Sequence, residues 1–400
     1  MRNRNTVSLD RRQFLIVAAG AALAGKVLGE ESSKIYTAAV IGHTGRGDYG
    51  HSVDQIFTDR NDVQLLALAD PVAEGRAKAM QRSKALREYE DYRQMLAKER
   101  PQLVAIAPRW PDQRGQMCLA AIEAGAHLYT EKPFATDLLE ADEILAAAGK
   151  SGRKIAVAHQ TRLAPSVLHL KKAIDDGLIG ELLQIDAWGK QDDRRAGGED
   201  MLVLGTHLFD LMRFFAGNPM WCTARVSEKG RDITSTSGRK AGEEIGPVAG
   251  DEISALFAFP NSVQGSFTSR AKVREAVGHW GILLTGTKGT ARVLNDIYPT
   301  IFVSKAAPFN KSIGRAENWQ RVAGDPGIGV AESEKTALVA NRRLVDDWID
   351  AIRNNRDPIC SGRAATAAIE MVMAVYQSAI SGRRAEFPLT DRRHPLAANN

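Results

Sequence analysis

The stretch from Lys34 to Gly50, KIYTAAVIGHTGRGDYG, decides how the chain is read. An apolar run ends at Ile41, glycines follow at positions 42, 45, 47 and 50, and a helical segment is expected after them. Strand, glycine cluster and helix in that order form the phosphate-binding turn of a dinucleotide fold. There the glycines let the backbone approach a pyrophosphate, and the helix N-terminus supplies N–H donors and the positive end of its dipole. On the G-x-G-x-x-G template Gly42 and Gly47 take the first and third places and Thr44 the second, so the close approach expected there is either relaxed or taken over by Gly45. Arg46 lies in the same turn. The next strand-like run, VQLLALAD, closes on Asp70, placed to accept from the adenosine ribose hydroxyls and to repel a 2'-phosphate; NAD is expected rather than NADP.

Outward from this turn the pattern repeats. LVAIAP, AHLYT and KIAVAH are further strand-like runs, separated by segments of helical period such as QMCLAAIEAG and LLEADEILAAAGK. Alternation of this kind predicts βαβ units and a doubly wound parallel sheet, a Rossmann domain over residues 34–158. After Arg162 the period changes. One helix, APSVLHLKKAIDDG, precedes LLQIDAWG, ISALFAFP, SVQGSFTSR, GILLTGTKGTARVL and TIFVSK, which predict an α+β domain over 159–390 built on a large, mostly antiparallel open sheet. Two closing helices, at about 336–381, are placed to pack back on the first domain. Residues 228–250 and 304–334, rich in Gly, Ser, Lys and Glu, read as loops.

The N-terminus reads differently. Arg2, Arg4, Arg11 and Arg12 precede an apolar run from Phe14 to Ala24 that ends in a small-residue cleavage site, so residues 1–30 are expected to be a signal peptide and a short linker. The run is too short to span a bilayer. Arg11-Arg12-Gln13-Phe14-Leu15 resembles the twin-arginine address for proteins exported already folded, which places the mature protein in the periplasm or another extracytoplasmic space. Removing residues 1–24 takes away four arginines and Asp10, a net +3, and lowers the formal charge from +5 to +2. The remaining cations are dispersed among acids, which argues against a nucleic-acid partner, and no later run is apolar for long enough to anchor the chain in a membrane. Cys118, Cys222 and Cys360 are too few and too scattered for a disulfide framework or a thiolate metal site; no metal is expected.

At AGAHLYTEKP, residues 124–133, the chain meets a more specific pattern. Together with AVIGHTGRG, ALADP, LKKAIDDGLIGEL, GTHLFDLMRF and AIEMVMAVYQSAISGRRAEFPL, in that order, it resembles the Gfo/Idh/MocA family of glucose-fructose oxidoreductase and inositol dehydrogenase. The resemblance runs over nearly the whole mature chain. It implies that Lys132 touches both nicotinamide and substrate and that Glu131 belongs to the cofactor site. It also implies a homo-oligomer, dimer or tetramer, assembled through the second domain. From the residues alone, ISALFAF and GILLTG suggest a sheet face too apolar for water.

The family's second signature pairs an aspartate and a histidine with that lysine. Here GGEDMLVLGTH, residues 197–207, keeps Gly197, Gly198, Gly205 and His207 but has Val203 where the aspartate belongs. An apolar side chain can neither orient an imidazole nor carry a proton; His207 is still expected to act as base or acid, with Glu199 or Asp200 restoring the carboxylate and Asp210, one turn on, placed to orient the ring. The resemblance also places substrate or cofactor contacts at Gln160 and Arg162. Arg194 and Arg195 could bind sugar hydroxyls or an acidic group, Trp188, Trp280 and Tyr298 could stack on a sugar face, and Arg109 or Arg114 could face the cofactor.

The expected activity is NAD-dependent oxidation of a small carbohydrate. Free dinucleotide is absent outside the cytoplasm, so the cofactor is expected to travel with the folded protein and to be recycled on it. A glycosidase or lyase that oxidises its sugar transiently would also meet that condition. Loss of the family aspartate leaves open a third reading, a non-catalytic sugar-binding protein.

Overall fold

A computed structural model describes residues 35–191, 195–271, 280–308, 319–321 and 336–397. The signal-peptide region and Arg194 lie outside these residues.

The first half builds β1 (Tyr36–Ile41), β2 (Val63–Ala69), α1 (Ala73–Ser83), β3 (Arg87–Tyr89), α2 (Tyr92–Glu99), β4 (Leu103–Ile106), α3 (Arg114–Glu123), β5 (His127–Thr130), α4 (Leu138–Ser151) and β6 (Ile155–Val157). The six strands pair in parallel in the order β3-β2-β1-β4-β5-β6. Their short runs, such as Ala38 to Ile41 and Leu103 to Ile106, are buried throughout, as a parallel sheet covered on both faces requires. Strand order reverses between β1 and β4, so the crevice for a ligand opens there, at the carboxyl ends of the strands.

One expected element is missing. No α-helix follows the glycine turn; the chain makes only a three-residue 3-10 turn, Val53–Gln55, and passes through positive φ at Asp48 and Ser52. The sheet face this leaves open is covered from the far end of the sequence, by the helix Ala337–Arg353.

The second half starts with α5 (Pro165–Asp175), β7 (Leu182–Trp188), α6 (Gly198–Val203), α7 (Gly205–Ala216) and β8 (Trp221–Glu228). The short strands β9 (Arg231–Asp232), β10 (Arg239–Lys240) and β11 (Pro247–Val248) interrupt the stretch expected to be all loop. Then come β12 (Glu252–Ala258), β13 (Gln264–Arg270), β14 (Trp280–Gly286), β15 (Thr290–Asn295), β16 (Thr300–Ser304), β17 (Trp319–Arg321), α8 (Ala337–Arg353), α9 (Gly362–Ser381) and β18 (Ala385–Glu386). Among the described residues the second sheet has ten strands, β17-β16-β15-β14-β7-β13-β12-β8-β18 with β9 beside β8, and of its described pairs only β13 and β7 run parallel.

Alternation along these strands sorts their side chains. Ile253, Ala255 and Phe257 of β12, and Ile282 and Leu284 of β14, turn into the core under α7 and α9, where Phe257 meets Phe209 at 5.6 Å. Ser254 and Leu256 point the other way. The apolar runs that suggested an oily outer face therefore spend most of their hydrophobic side chains inward. Helix α8 packs Leu344, Val345, Trp348 and Ile349 against the first sheet, with Trp348 ringed by Phe57 and Tyr129.

Candidate active site

The glycine turn holds itself together with side chains. Thr44 donates both its backbone N–H and its hydroxyl to Asp70, the latter at 2.7 Å, and Asp70 also accepts from the N–H of Val72. Asp70 is completely buried. Its carboxylate thus ties the end of β2 to the turn instead of standing free for a ribose, which corrects the sequence expectation. The acids at the rim of the neighbouring hollow are Glu90 and Asp91. Asp48 accepts from the N–H of Gly45, and Arg46 pairs with Asp112 and lies over Trp110.

The turn still fits a dinucleotide. A Cβ on Gly45 would meet nothing, while one on Gly47 would strike the backbone of Arg109 at 2.5 Å. On one side of the turn is a hollow of about 300 Å³ lined by Gly42, His43, Pro71, Tyr92 and Gln113; across the switch point lies a second, of about 260 Å³. Together they offer an apolar place for an adenine and a polar place for a nicotinamide beside a substrate. No helix N-terminus stands at the turn to receive the pyrophosphate; the backbone of residues 43–47 and Arg46 are the groups that would hold it.

The second pocket gathers His51, Arg109, Lys132, Gln160, Lys190, Arg195, Val203, His207, Glu243, Trp280, Asn295 and Asp296. Lys132 follows β5, and its Nζ donates to the main-chain oxygen of Val203 at 3.0 Å. The residue that replaces the aspartate thus still receives the lysine, through its carbonyl. Burial pushes the Lys132 ammonium down to about 8, against the opposing pull of Glu131 and Glu243. Glu131 is fully buried behind it and accepts from the N–H of His51 at 2.9 Å and from His51 Nδ1 at 2.8 Å. Burial raises this carboxyl, but its interaction and hydrogen bonds with His51, together with the Lys132 cation, outweigh that and hold the group at about 2. Glu131 therefore serves the pocket from behind and does not line it.

His207, on α7, stands edge-on to Trp280 at 5.7 Å and to His159 at 5.2 Å. Burial first, then the charges of His159, Lys132 and His51, hold its imidazole well below the usual value, so the ring is neutral near pH 7. Its Nδ1 is buried without a partner. Asp210 does not reach it: Asp210 grips Arg162 through both oxygens at 2.7 Å and lies 3.9 Å from His159. Asn295 is also buried, with neither amide atom satisfied, on the wall beside Trp280. Unsatisfied buried polar groups are costly, and those opening on a cavity suit the hydroxyls of a ligand.

Several expectations are corrected here. Asp200 faces away from the pocket: it accepts from Ser269 Oγ at 2.7 Å and from the N–H groups of Lys190 and Gln191, anchoring the start of α6. Glu199 lies toward Arg239, 4.0 Å away, and also outside the pocket. Arg162 is consumed by Asp210, and Arg114 is buried beneath Pro108 and Pro133, so of the two arginines near β4 it is Arg109 that lines the site. Trp188 and Tyr298 lie outside it, whereas Gln160, Arg195 and Trp280 are in place. Arg195 pairs with Glu243, and Gln160 donates to Asn341 at 2.7 Å. Sequence reasoning missed His51, Asn295 and Asn341; only His51, one residue past the glycine turn, carried a signal.

Residues 36–159 match the family model described as an oxidoreductase family with an NAD-binding Rossmann fold, and residues 171–387 match its C-terminal alpha/beta domain. The D-apiose dehydrogenase of Paraburkholderia graminis is 27% identical over 369 residues, 89% of this chain and 91% of that protein. Among solved structures, levoglucosan dehydrogenase with NADH and levoglucosan superposes with a TM-score of 0.69 at 20% identity, covering 89% of this chain and all of the other. The aldose-aldose oxidoreductase of Caulobacter crescentus, complexed with glycerol, gives 0.67 at 18% identity over 88% of this chain and all of its own.

Proposed function

The chain belongs to the Gfo/Idh/MocA oxidoreductases, with their NAD-binding Rossmann domain, and from that premise we propose that it oxidises a hydroxyl of a small carbohydrate. The observation that carries this reading is Lys132: a buried ammonium, fixed by the Val203 carbonyl, in the wall of a polar pocket at the switch point. Bound NAD supplies the hydride acceptor. The chain's own residues bind and orient the sugar. Lys132 polarises the reacting oxygen, neutral His207 holds it by a hydrogen bond, Asn295 takes neighbouring hydroxyls, and Trp280 lies along an apolar sugar face. D-apiose and levoglucosan, named for the relative and the neighbour, are polyhydroxylated molecules of a size such a pocket accepts.

Export by the twin-arginine route, residence outside the cytoplasm and a cofactor recycled on the protein are part of the same proposal, supported by Arg11-Arg12 and the cleavable apolar run. So is a homo-oligomer through the sheet face bearing Ser254 and Leu256; a monomeric mass at micromolar concentration would count against it. The function is tested by adding aldoses, sugar acids, polyols and glycosides to NAD-loaded protein while following absorbance at about 340 nm, where reduced nicotinamide absorbs, and bond cleavage. Cofactor reduction by a sugar supports the reading. Glycoside cleavage with no net reduction replaces it with the redox-neutral route, and binding without either leaves a sugar-binding protein.

A further inference from the structure

We propose that His51 is the catalytic residue that accepts the substrate's hydroxyl proton and that Glu131 is its positioning residue. The proposal rests on the functional reading above and supplies what Val203 removes from it.

An oxidised carbinol gives up a hydride from carbon and a proton from oxygen; the C–H and O–H bonds break and C=O forms. The hydride pair leaves with the nicotinamide, so the proton needs an acceptor in the pocket. Glu199 and Asp200 point elsewhere. His207 is a poor acceptor, because burial opposes its cation and neighbouring positive groups add to the opposition.

His51 differs on each count. It lines the pocket with Lys132 and His207, and its side chain is 35% exposed, so a captured proton has a way out to water. Its Nδ1 lies 2.8 Å from a carboxylate oxygen of Glu131, which has no exposure of its own. A carboxylate that takes the Nδ1–H fixes the tautomer and leaves the Nε2 lone pair as a base, while stabilising the imidazolium formed on proton capture. The backbone is held as well: the N–H of His51 donates to the same oxygen, and its carbonyl accepts from Asn341 Nδ2 at 2.8 Å. Asn341, wholly buried on α8, also accepts from Tyr129 and Gln160, so one amide locks three segments around the ring. Among the described residues, the charged or titratable groups that share the pocket with His51 are Arg109, Lys132, Lys190, Arg195, His207, Glu243 and Asp296, with Glu131 behind it; toward the His51 carbonyl α8 presents the neutral amide of Asn341.

Two measurements test this. In NAD-loaded protein, nitrogen-15 shifts of the His51 ring should show Nδ1 protonated and Nε2 bare, a preference that Glu131→Gln weakens. A proton resident on Nε2 overturns the proposal, with no reference to turnover. In kinetics with whichever sugar the parent oxidises, His51→Asn keeps a donor toward Glu131 but no base. It should bind NAD as the parent does, lose about a hundredfold in kcat/KM at neutral pH and lose the acid limb of the pH profile. Unchanged rate and profile, or a loss of NAD affinity that accounts for the lost rate, overturns it. Failure of the functional reading looks different: there no sugar reduces the cofactor even in the parent, and the ring-nitrogen measurement alone decides the role of His51.

Discussion

At the scale of single residues the account turns on the charge of Lys132. Because burial lowers its pKa to about 8, the ammonium is lost as pH rises through that value. If the cation polarises the reacting oxygen, kcat/KM should fall about tenfold per pH unit on the alkaline side of 8; a rate that climbs from pH 8 to pH 10 would mean that the neutral amine is itself the base. Asp70 makes a second case. Its carboxylate is spent on Thr44 and Val72, so Asp70→Asn should lower stability by about 1–3 kcal/mol, the cost of weakening charge-assisted bonds to buried donors. Denaturant titration beside NADP binding checks this, and a switch toward NADP at unchanged stability would restore the ribose role. Both residues were legible in the sequence: Lys132 lies in the pocket where it was expected, whereas the Asp70 carboxylate is turned onto the glycine turn. A strand-end acid looks the same in sequence whether it meets a ribose or a threonine two residues past the first glycine.

At the scale of elements, runs of buried β-branched and aliphatic residues identified five of the six strands of the parallel sheet, because both faces are covered and the pattern is continuous. Three-residue β3 at the sheet edge, with Arg87 and Glu88 charged and exposed, left no such signal. The helix expected after the glycine turn failed for a backbone reason: left-handed conformations at Asp48, Gly50 and Ser52 keep the chain from entering a helix before Val53. What replaces it is α8, whose docking no local pattern could place. The clearest consequence is Trp348, wholly buried between Phe57 and Tyr129. Trp348→Ala should cost about 3–5 kcal/mol and, by loosening Asn341 and His51 on the same contact, weaken NAD binding as well. Equilibrium unfolding and cofactor titration report the two effects; a cost below about 1 kcal/mol would mean that α8 is not part of the nucleotide-binding core.

At the scale of the whole molecule, the pocket is assembled from distant parts of the chain: the glycine turn, the end of β5, α7 and β15. That explains why its acids were misassigned. Glu199 and Asp200 are close to His207 in sequence, yet α6 turns them toward β13 and β10, while His51 arrives from 156 positions away. The export proposal belongs to this scale too. Replacing Arg11-Arg12 by two lysines should leave folded, NAD-loaded protein in the cytoplasm, seen by fractionation and mass analysis of bound cofactor; undiminished export would show that the apolar run alone suffices. The central claim, hydride transfer from a sugar beside Lys132, is tested most directly by the 340 nm absorbance of NAD-loaded parent and Lys132→Met proteins mixed with the same panel of sugars. The account predicts a rise for the parent with at least one sugar and none for the variant, although both hold NAD equally well. An equal rise in both, or none in the parent with any sugar, would contradict it.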